Sequence, residues 1–131
     1  MAKKYSIKIE TRFSDLDAYG HVNSAVYFTY LETARVKLFN DLFQELTMRG
    51  IFTVVARAEC DFRVPILFND ELFITVWMSR VGGSSFDLEY HLHDNADRSF
   101  ATAKTTMVCF DNINKVTVPV PESIKQLAQE K

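Results

Sequence analysis

Between Ser24 and about Arg49 the apolar residues Tyr27, Leu31, Ala34, Leu38 and Leu42 recur at spacings of three and four, and after Gly50 the period drops to two. The first spacing lines up side chains on one face of a helix, the second on one face of a strand. This switch restricts the chain to one long helix followed by a run of strands. Val26, Phe28, Val36, Phe39 and Phe43 widen the helical stripe almost around the axis, so the helix is expected to be buried on several sides. Asn23 is a natural N-cap and Gly50 a natural terminator.

Ahead of the helix, residues 5 to 12 alternate and predict a strand, and residues 13 to 23 predict a loop. Beyond Gly50, Val54, Ala56, Ala58, Cys60, Phe62 and Val64 interleave with the charged Arg57, Glu59, Asp61 and Arg63. That pattern predicts a half-buried strand, ended by Pro65. Asn69-Asp70 marks a turn. Further strands are expected over about Leu72 to Val81, Ser85 to His93 and Ser99 to Phe110, with turns at Gly82-Gly83 and Asp94 to Arg98. Residues 121 to 129 predict a short terminal helix. Strands joined by short turns pair antiparallel. Their apolar face must cover something, and the long helix is the only large partner. The expected class is α+β, a five-stranded antiparallel sheet wrapped around one long central helix.

A chain of 131 residues suits one domain, taken here as 1–131, and 47% hydrophobic residues can bury a real core. A net charge of -2 argues against a generic nucleic-acid binder, while leaving room for a local basic pocket. Cys60 and Cys109 sit in apolar strand-like runs with no CxxC or Cys/His cluster, so two free thiols and no metal site are expected. The N-terminal MAKKYSIKIETRF lacks the apolar core of a signal peptide, and no window reaches the ~18 apolar residues of a membrane span. A cytoplasmic protein with no membrane span is therefore expected. One helix cannot also guard the edges of such a sheet, which implies a homodimer or homotetramer.

The chemistry concentrates between Arg12 and Arg35. Asp15, Asp17, His21 and Asn23 fall within nine residues, just before a helix N-terminus. That end presents unpaired N–H groups and a positive dipole, which suit a polarised carbonyl or a developing oxyanion. A neighbouring carboxylate could activate water or attack directly. The competing reading is that Asp15, Asp17 and Asn23 only cap turns and the helix. Glu32 precedes Arg35 by three residues, so an ion pair along the helix is expected. His91 and His93 lie two apart on the polar face of one strand and are expected to be exposed.

The pattern D-x-D-x-x-G-H-V-N, followed by Y-x-x-Y-L-E-x-A-R, resembles the 4-hydroxybenzoyl-CoA thioesterase group of hotdog-fold acyl-CoA thioesterases. Phe62-Arg63-Val64-Pro65 with Asp70-Glu71-Leu72, and Arg80-Val81-Gly82 with Ser84-Ser85-Phe86, extend the similarity. The resemblance implies a hotdog fold, a dimer joined edge to edge with interfacial sites, and hydrolysis of an acyl-CoA with no cofactor beyond the substrate's own CoA. It implies that Asp17 is the catalytic carboxylate, as general base or nucleophile, and that the Ser24 backbone N–H polarises the thioester carbonyl. Many relatives carry Asn-Asn where this chain has Asn23-Ser24. His21 could orient Asp17, touch substrate or only bind the loop, and Asn23 could cap the helix and touch substrate. Candidate substrate and CoA contacts are Tyr27, Arg63, Arg80, Gly83 and Ser84, with Lys104 as a further cation. Two other readings stand beside hydrolysis. One is a hotdog hydratase or dehydratase of enoyl thioesters using His21 with Glu32, and the other a non-catalytic acyl-CoA-binding module.

Overall fold

The helical period is realised as α1, Ser24–Met48, in a computed structural model that describes residues 2–129. The Asn23 side chain accepts the Ala25 N–H at 2.9 Å, satisfying one of the donors that a helix start leaves unpaired. Gly50 follows the helix at φ 78°, a left-handed conformation that glycine adopts without a Cβ clash. Tyr27, Tyr30, Leu31, Ala34, Phe39 and Leu46 are buried along α1. The helix kinks at Phe39, whose ring meets Tyr5 edge-on with centroids 5.2 Å apart.

The strands are β1 (Tyr5–Ile9), β2 (Ile51–Phe62), β3 (Leu72–Val81), β4 (Ser85–His93), β5 (Ser99–Asp111) and β6 (Val116–Thr117), with α2 (Glu122–Gln129) closing the described chain. The sheet order is β1-β3-β4-β5-β2, with the two-residue β6 on β5. Every pairing is antiparallel. Ile74, Val76, Phe86, Leu88, Tyr90 and Leu92 share one buried cluster with Leu31 and Ala34 of α1. This is the antiparallel sheet around one helix that the alternating patterns predict, and the hotdog layout that the family resemblance implies. The sixth strand was not expected, because two residues leave no periodicity to read.

Three expectations need correcting. First, β2 does not alternate cleanly. A bulge between Val55 and Arg57 shifts the register, so Thr53, Val55, Ala58, Cys60 and Phe62 pair with the residues of β5 that face the helix. Val54 is thereby turned to the opposite face. β2 is also an edge strand and mostly exposed, with Val55 at 46% and Phe62 at 50% of full accessibility. Second, Arg35 does not pair with Glu32. It is buried and donates to the Tyr90 hydroxyl at 3.2 Å, while Glu32 is exposed.

Third, His91 and His93 are half-buried and stacked, with ring centroids 4.7 Å apart. His93 Nδ1 accepts the Asn95 N–H at 3.0 Å, and its Nε2 lies 2.8 Å from the Thr75 hydroxyl. An imidazole accepting at Nδ1 carries its proton on Nε2 and is neutral. Burial lowers both histidines below the ordinary imidazole value; Lys4 and Arg63 lower His91 further, while for His93 the His91 ring lowers and Asp94 raises.

Leu31 is wholly buried where α1 meets the sheet. Leu31→Ala is expected to destabilise the protein by about 2–5 kcal/mol, the cost of lost burial plus a cavity. Denaturant unfolding with an unchanged slope checks this.

Candidate active site

The loop before α1 is held from below by Asp15, which is 2% exposed. Its carboxylate accepts the Tyr30 hydroxyl at 2.6 Å, the Arg12 guanidinium at 2.9 Å and the Arg12 backbone N–H at 3.1 Å. Its backbone carbonyl accepts the Asn23 N–H at 2.8 Å. Burial alone would raise the carboxyl pKa, but the Arg12 and Tyr30 hydrogen bonds outweigh it and hold Asp15 below the usual carboxylate range. The same arrangement, led by burial, pushes the Tyr30 phenol upward.

With Asp15 anchoring one side, Asp17 forms the turn that follows. Its Oδ1 accepts the Tyr19 N–H at 2.9 Å and the His21 N–H at 3.2 Å, and its own N–H donates to the His21 carbonyl at 2.7 Å. Gly20 sits inside this turn at φ 77°, which explains the glycine of the motif. One carboxylate oxygen of Asp17 is therefore fixed by the backbone, while Oδ2 has no protein donor among the described residues. His21 reaches Asp17 through its backbone, and not through its imidazole.

Asp17, His21, Val22, Ser24, Tyr27, Phe62, Arg63, Val64 and Pro65 line one cavity of about 280 Å³. Five sequence-nominated residues thus converge: Asp17, His21, Ser24, Tyr27 and Arg63. The Ala25 and Val26 N–H groups are taken by the Asn23 side chain and carbonyl. The Ser24 N–H has no acceptor among the described residues, and Ser24 lines the cavity. Tyr27 and Phe62 form an edge-to-face wall with centroids 4.8 Å apart. Burial pushes the Tyr27 phenol above its ordinary value, with a backbone hydrogen bond at Ile66 pulling the other way. Burial, aided by Asp61, pushes the nearby Cys60 thiol up to about 11, so it stays protonated and is a poor nucleophile.

The remaining nominees lie elsewhere. Asn23 is occupied as the helix cap. Arg80 pairs with the buried Asp87 at 2.8 Å, and Lys104 stands 3.7 Å from the same carboxylate. The Gly83 and Ser84 carbonyls accept from Val120 and Cys109, which ties their turn to the far end of β5. Phe62 pairs with Ala101 and Ser85 with Val108. Those β5 positions are about 23 Å apart at ~3.3 Å per residue, so the turn cannot reach the cavity of its own chain. Pro65, Val64, Val22 and Phe62 were not nominated. All four lie in stretches that carry the family resemblance, Val22 in the motif loop and the others in Phe62-Arg63-Val64-Pro65, but nothing in the sequence marked them as cavity lining. Among the described residues no three His, Cys, Asp or Glu side chains cluster as a metal site, and no helix is long and apolar enough to cross a membrane.

The fold is the hotdog sheet around one helix, and the chain's relatives place it among the thioester hydrolases. The chain belongs to the Thioesterase-like superfamily, whose profile matches residues 11–127. It is 34% identical over 107 residues to the long-chain acyl-CoA thioesterase FadM of Escherichia coli, covering 79% of this chain and 81% of FadM. It is 37% identical over 83 residues to the protein YsmA of Bacillus subtilis, covering 63% of this chain and 56% of YsmA. A crystal structure of a thioesterase from Thermus thermophilus, complexed with coenzyme A and Zn, superposes with a TM-score of 0.82. That match has 34% identity and covers 95% of this chain and 96% of the other.

Tyr30→Phe removes the only side-chain donor from α1 to Asp15. It is expected to cost about 1–3 kcal/mol, the penalty for an under-satisfied buried group. Because the Asp15 pKa is lower folded than unfolded, its stabilisation is complete above the ordinary carboxylate value and fades as pH falls through the folded one. The stability loss on acidification should therefore shrink in Tyr30→Phe, as read by unfolding between about pH 5 and 2.

Proposed function

We propose that this protein hydrolyses an acyl-CoA thioester in the cavity lined by Asp17, Ser24, Tyr27 and Arg63. The observation that carries the reading is the Asp17 carboxylate, fixed through Oδ1 and uncommitted at Oδ2, beside a helix start whose Ser24 N–H is open. The thioester carbonyl would accept from that N–H, where the helix dipole favours negative charge. Asp17 then takes a proton from water, or attacks the carbonyl carbon to form an anhydride that water opens. In both routes the carbon–sulfur bond breaks, the sulfur leaves as thiolate and takes a proton, and the products are a free acid and CoA. Tyr27 and Phe62 offer an apolar wall for the acyl group. Arg63, with no carboxylate partner among the described residues, is the cation suited to a CoA phosphate. The names of FadM and of the CoA-bound Thermus protein support this reading. The hydratase alternative needs His21 paired with Glu32, but Glu32 is exposed and does not line the cavity.

We also propose that the working unit is a homodimer joined at β2. The strand ends the sheet with a free edge among the described residues, and Val55, Ala58 and Phe62 expose apolar surface on its helix side. Antiparallel pairing of two such edges would bring the Gly82–Ser85 turn of one copy towards the cavity of the other. That is the route by which Arg80, Gly83 and Ser84 could serve the site.

Asp17→Asn keeps size and removes charge, and is expected to lower kcat by at least ~100-fold, within the range for loss of a general base. Asp15→Asn should act mainly on stability, because its carboxylate faces Tyr30 and Arg12 and not the cavity. Hydrolysis assays over acyl-CoAs of different length, run with thermal unfolding, separate the two. Full activity in Asp17→Asn would sink the mechanism. For assembly, Val55→Glu should convert dimer to monomer at micromolar concentration by light scattering, with activity falling in parallel. A wild-type monomer that is fully active would remove the interfacial site.

A further inference from the structure

The β4–β5 turn carries Arg98, whose guanidinium reaches across to the β2–β3 connection. Its Nη2 donates to Asp70 Oδ1 at 2.6 Å. Asp94 steadies the same guanidinium at 3.4 Å, and the Phe100 ring lies 5.1 Å beneath it. The other Asp70 oxygen accepts the Leu67 N–H at 2.9 Å, while the Asp70 N–H returns to the Leu67 carbonyl at 3.0 Å. Leu67 forms an antiparallel bridge with His21, and the neighbouring Ile66 carbonyl accepts the Val22 N–H at 2.8 Å. His21 in turn holds Asp17 by two backbone hydrogen bonds.

We infer that the Arg98–Asp70 ion pair positions the Asp17 loop, acting through Leu67 and the His21–Val22 segment. The inference rests on reading Asp17 as the catalytic carboxylate. Asp17 sits on a loop, and the segment beside it, Leu67 to Asp70, is itself a turn. A turn between two strands has little rigidity of its own. Asp70 supplies it by closing the turn with one oxygen and anchoring it to a second hairpin with the other. Asp70 is 12% exposed at its side chain and Arg98 45%, so the pair is partly shielded from water. The same hairpin controls the cavity wall from its other side, since the Phe100 carbonyl accepts the Arg63 and Val64 N–H groups at 3.0 and 3.1 Å. Arg98, lying over Phe100 and bound to Asp70, closes a frame around residues 63–70. Loss of that frame lets the Asp17 carboxylate drift without altering its chemistry.

Two variants isolate the pair. Asp70→Asn leaves an oxygen for the Leu67 N–H and removes the charge that holds Arg98. Arg98→Met leaves an apolar stem over Phe100 and removes the guanidinium. Each is expected to lower kcat about tenfold with KM changed less than about twofold, a tenth of the ~10² that a 1 Å misplacement can cost. The double variant should lose no more than either single one, because both break one link. Lys8→Gln, which removes the exposed pair between Lys8 and Glu71 beside Asp70, should leave kcat unchanged. All are assayed well below their unfolding temperatures, so a purely structural role would leave kcat intact. Amide hydrogen exchange gives a readout independent of turnover. The Asp17, Val22 and Asn23 amides should exchange faster in both variants, and those of β3 should not. Additive losses of kcat, or unchanged exchange at those three amides, would overturn the positioning role. If Asp17→Asn is fully active while exchange still quickens in Arg98→Met, the catalytic reading of Asp17 fails and the mechanical link survives.

Discussion

An ionised carboxylate with almost no exposure is costly unless every oxygen is engaged, and Asp15 meets that condition through Arg12 and Tyr30. The loop before α1 and the start of that helix depend on this arrangement. Tyr30 lies one and a half turns into α1, so its hydrogen bond fastens the loop to the helix side as well as to the helix start. The Asp15 carbonyl then takes the Asn23 N–H, which fixes the residue that caps α1. Loop and cap are thus one unit, and the residues between Asp15 and Asn23 have few conformations left to explore. Asp17 occupies the middle of that interval.

The two acidic residues of the motif illustrate how position assigns role. Both are carboxylates on one short loop, two residues apart, and both accept backbone N–H groups. Asp15 turns inward and is saturated by its partners. Asp17 is half-buried and saturated on one side only. A fully engaged carboxylate is a structural element, because moving a proton to it would break several hydrogen bonds together. One with an open oxygen can accept a proton or attack while its other oxygen remains fixed. Preorganisation of this kind lowers the reorganisation needed when charge develops at the helix N-terminus.

The helix and the strand order were legible because they depend on apolar period, and burial against one helix imposes that period directly. The capping role of Asn23 was legible for the same local reason. What could not be read depended on partners remote in sequence. The β2 bulge at Ala56 leaves no local mark, since valines precede it and alanines flank Arg57, so either face looks equally apolar. Glu32 and Arg35 have the spacing of a helical ion pair, but a buried position opposite Tyr90 claims the arginine. His91 and His93 sit on the sheet face opposite the helix, yet Thr75 and Ser99 of neighbouring strands half-enclose them. At the site, the motif loop was readable as a cluster of chemical groups. The cavity wall from Phe62 to Pro65 was not, because it meets the loop through contacts remote in sequence, at the Ile66–Leu67 pairing and the Phe13–Phe68 rings.

The partners of the arginines bear on how a chain of net charge -2 would offer a basic group to the proposed CoA ligand. The chain has seven arginines. Arg12, Arg49, Arg57, Arg80 and Arg98 each face a carboxylate within 4.0 Å, and Arg35 is buried against Tyr90. An arginine already paired offers little net attraction to an incoming anion, since its field is cancelled at short range. Arg63 is the exception among the described residues. Its neighbours at the end of β2 are Phe62, Val64 and Pro65, which supply no competing carboxylate, and its backbone is pinned by the Phe100 carbonyl. On the proposed reading, Arg63, which lines the cavity and has no carboxylate partner among the described residues, is the arginine left to meet the anionic end of a thioester.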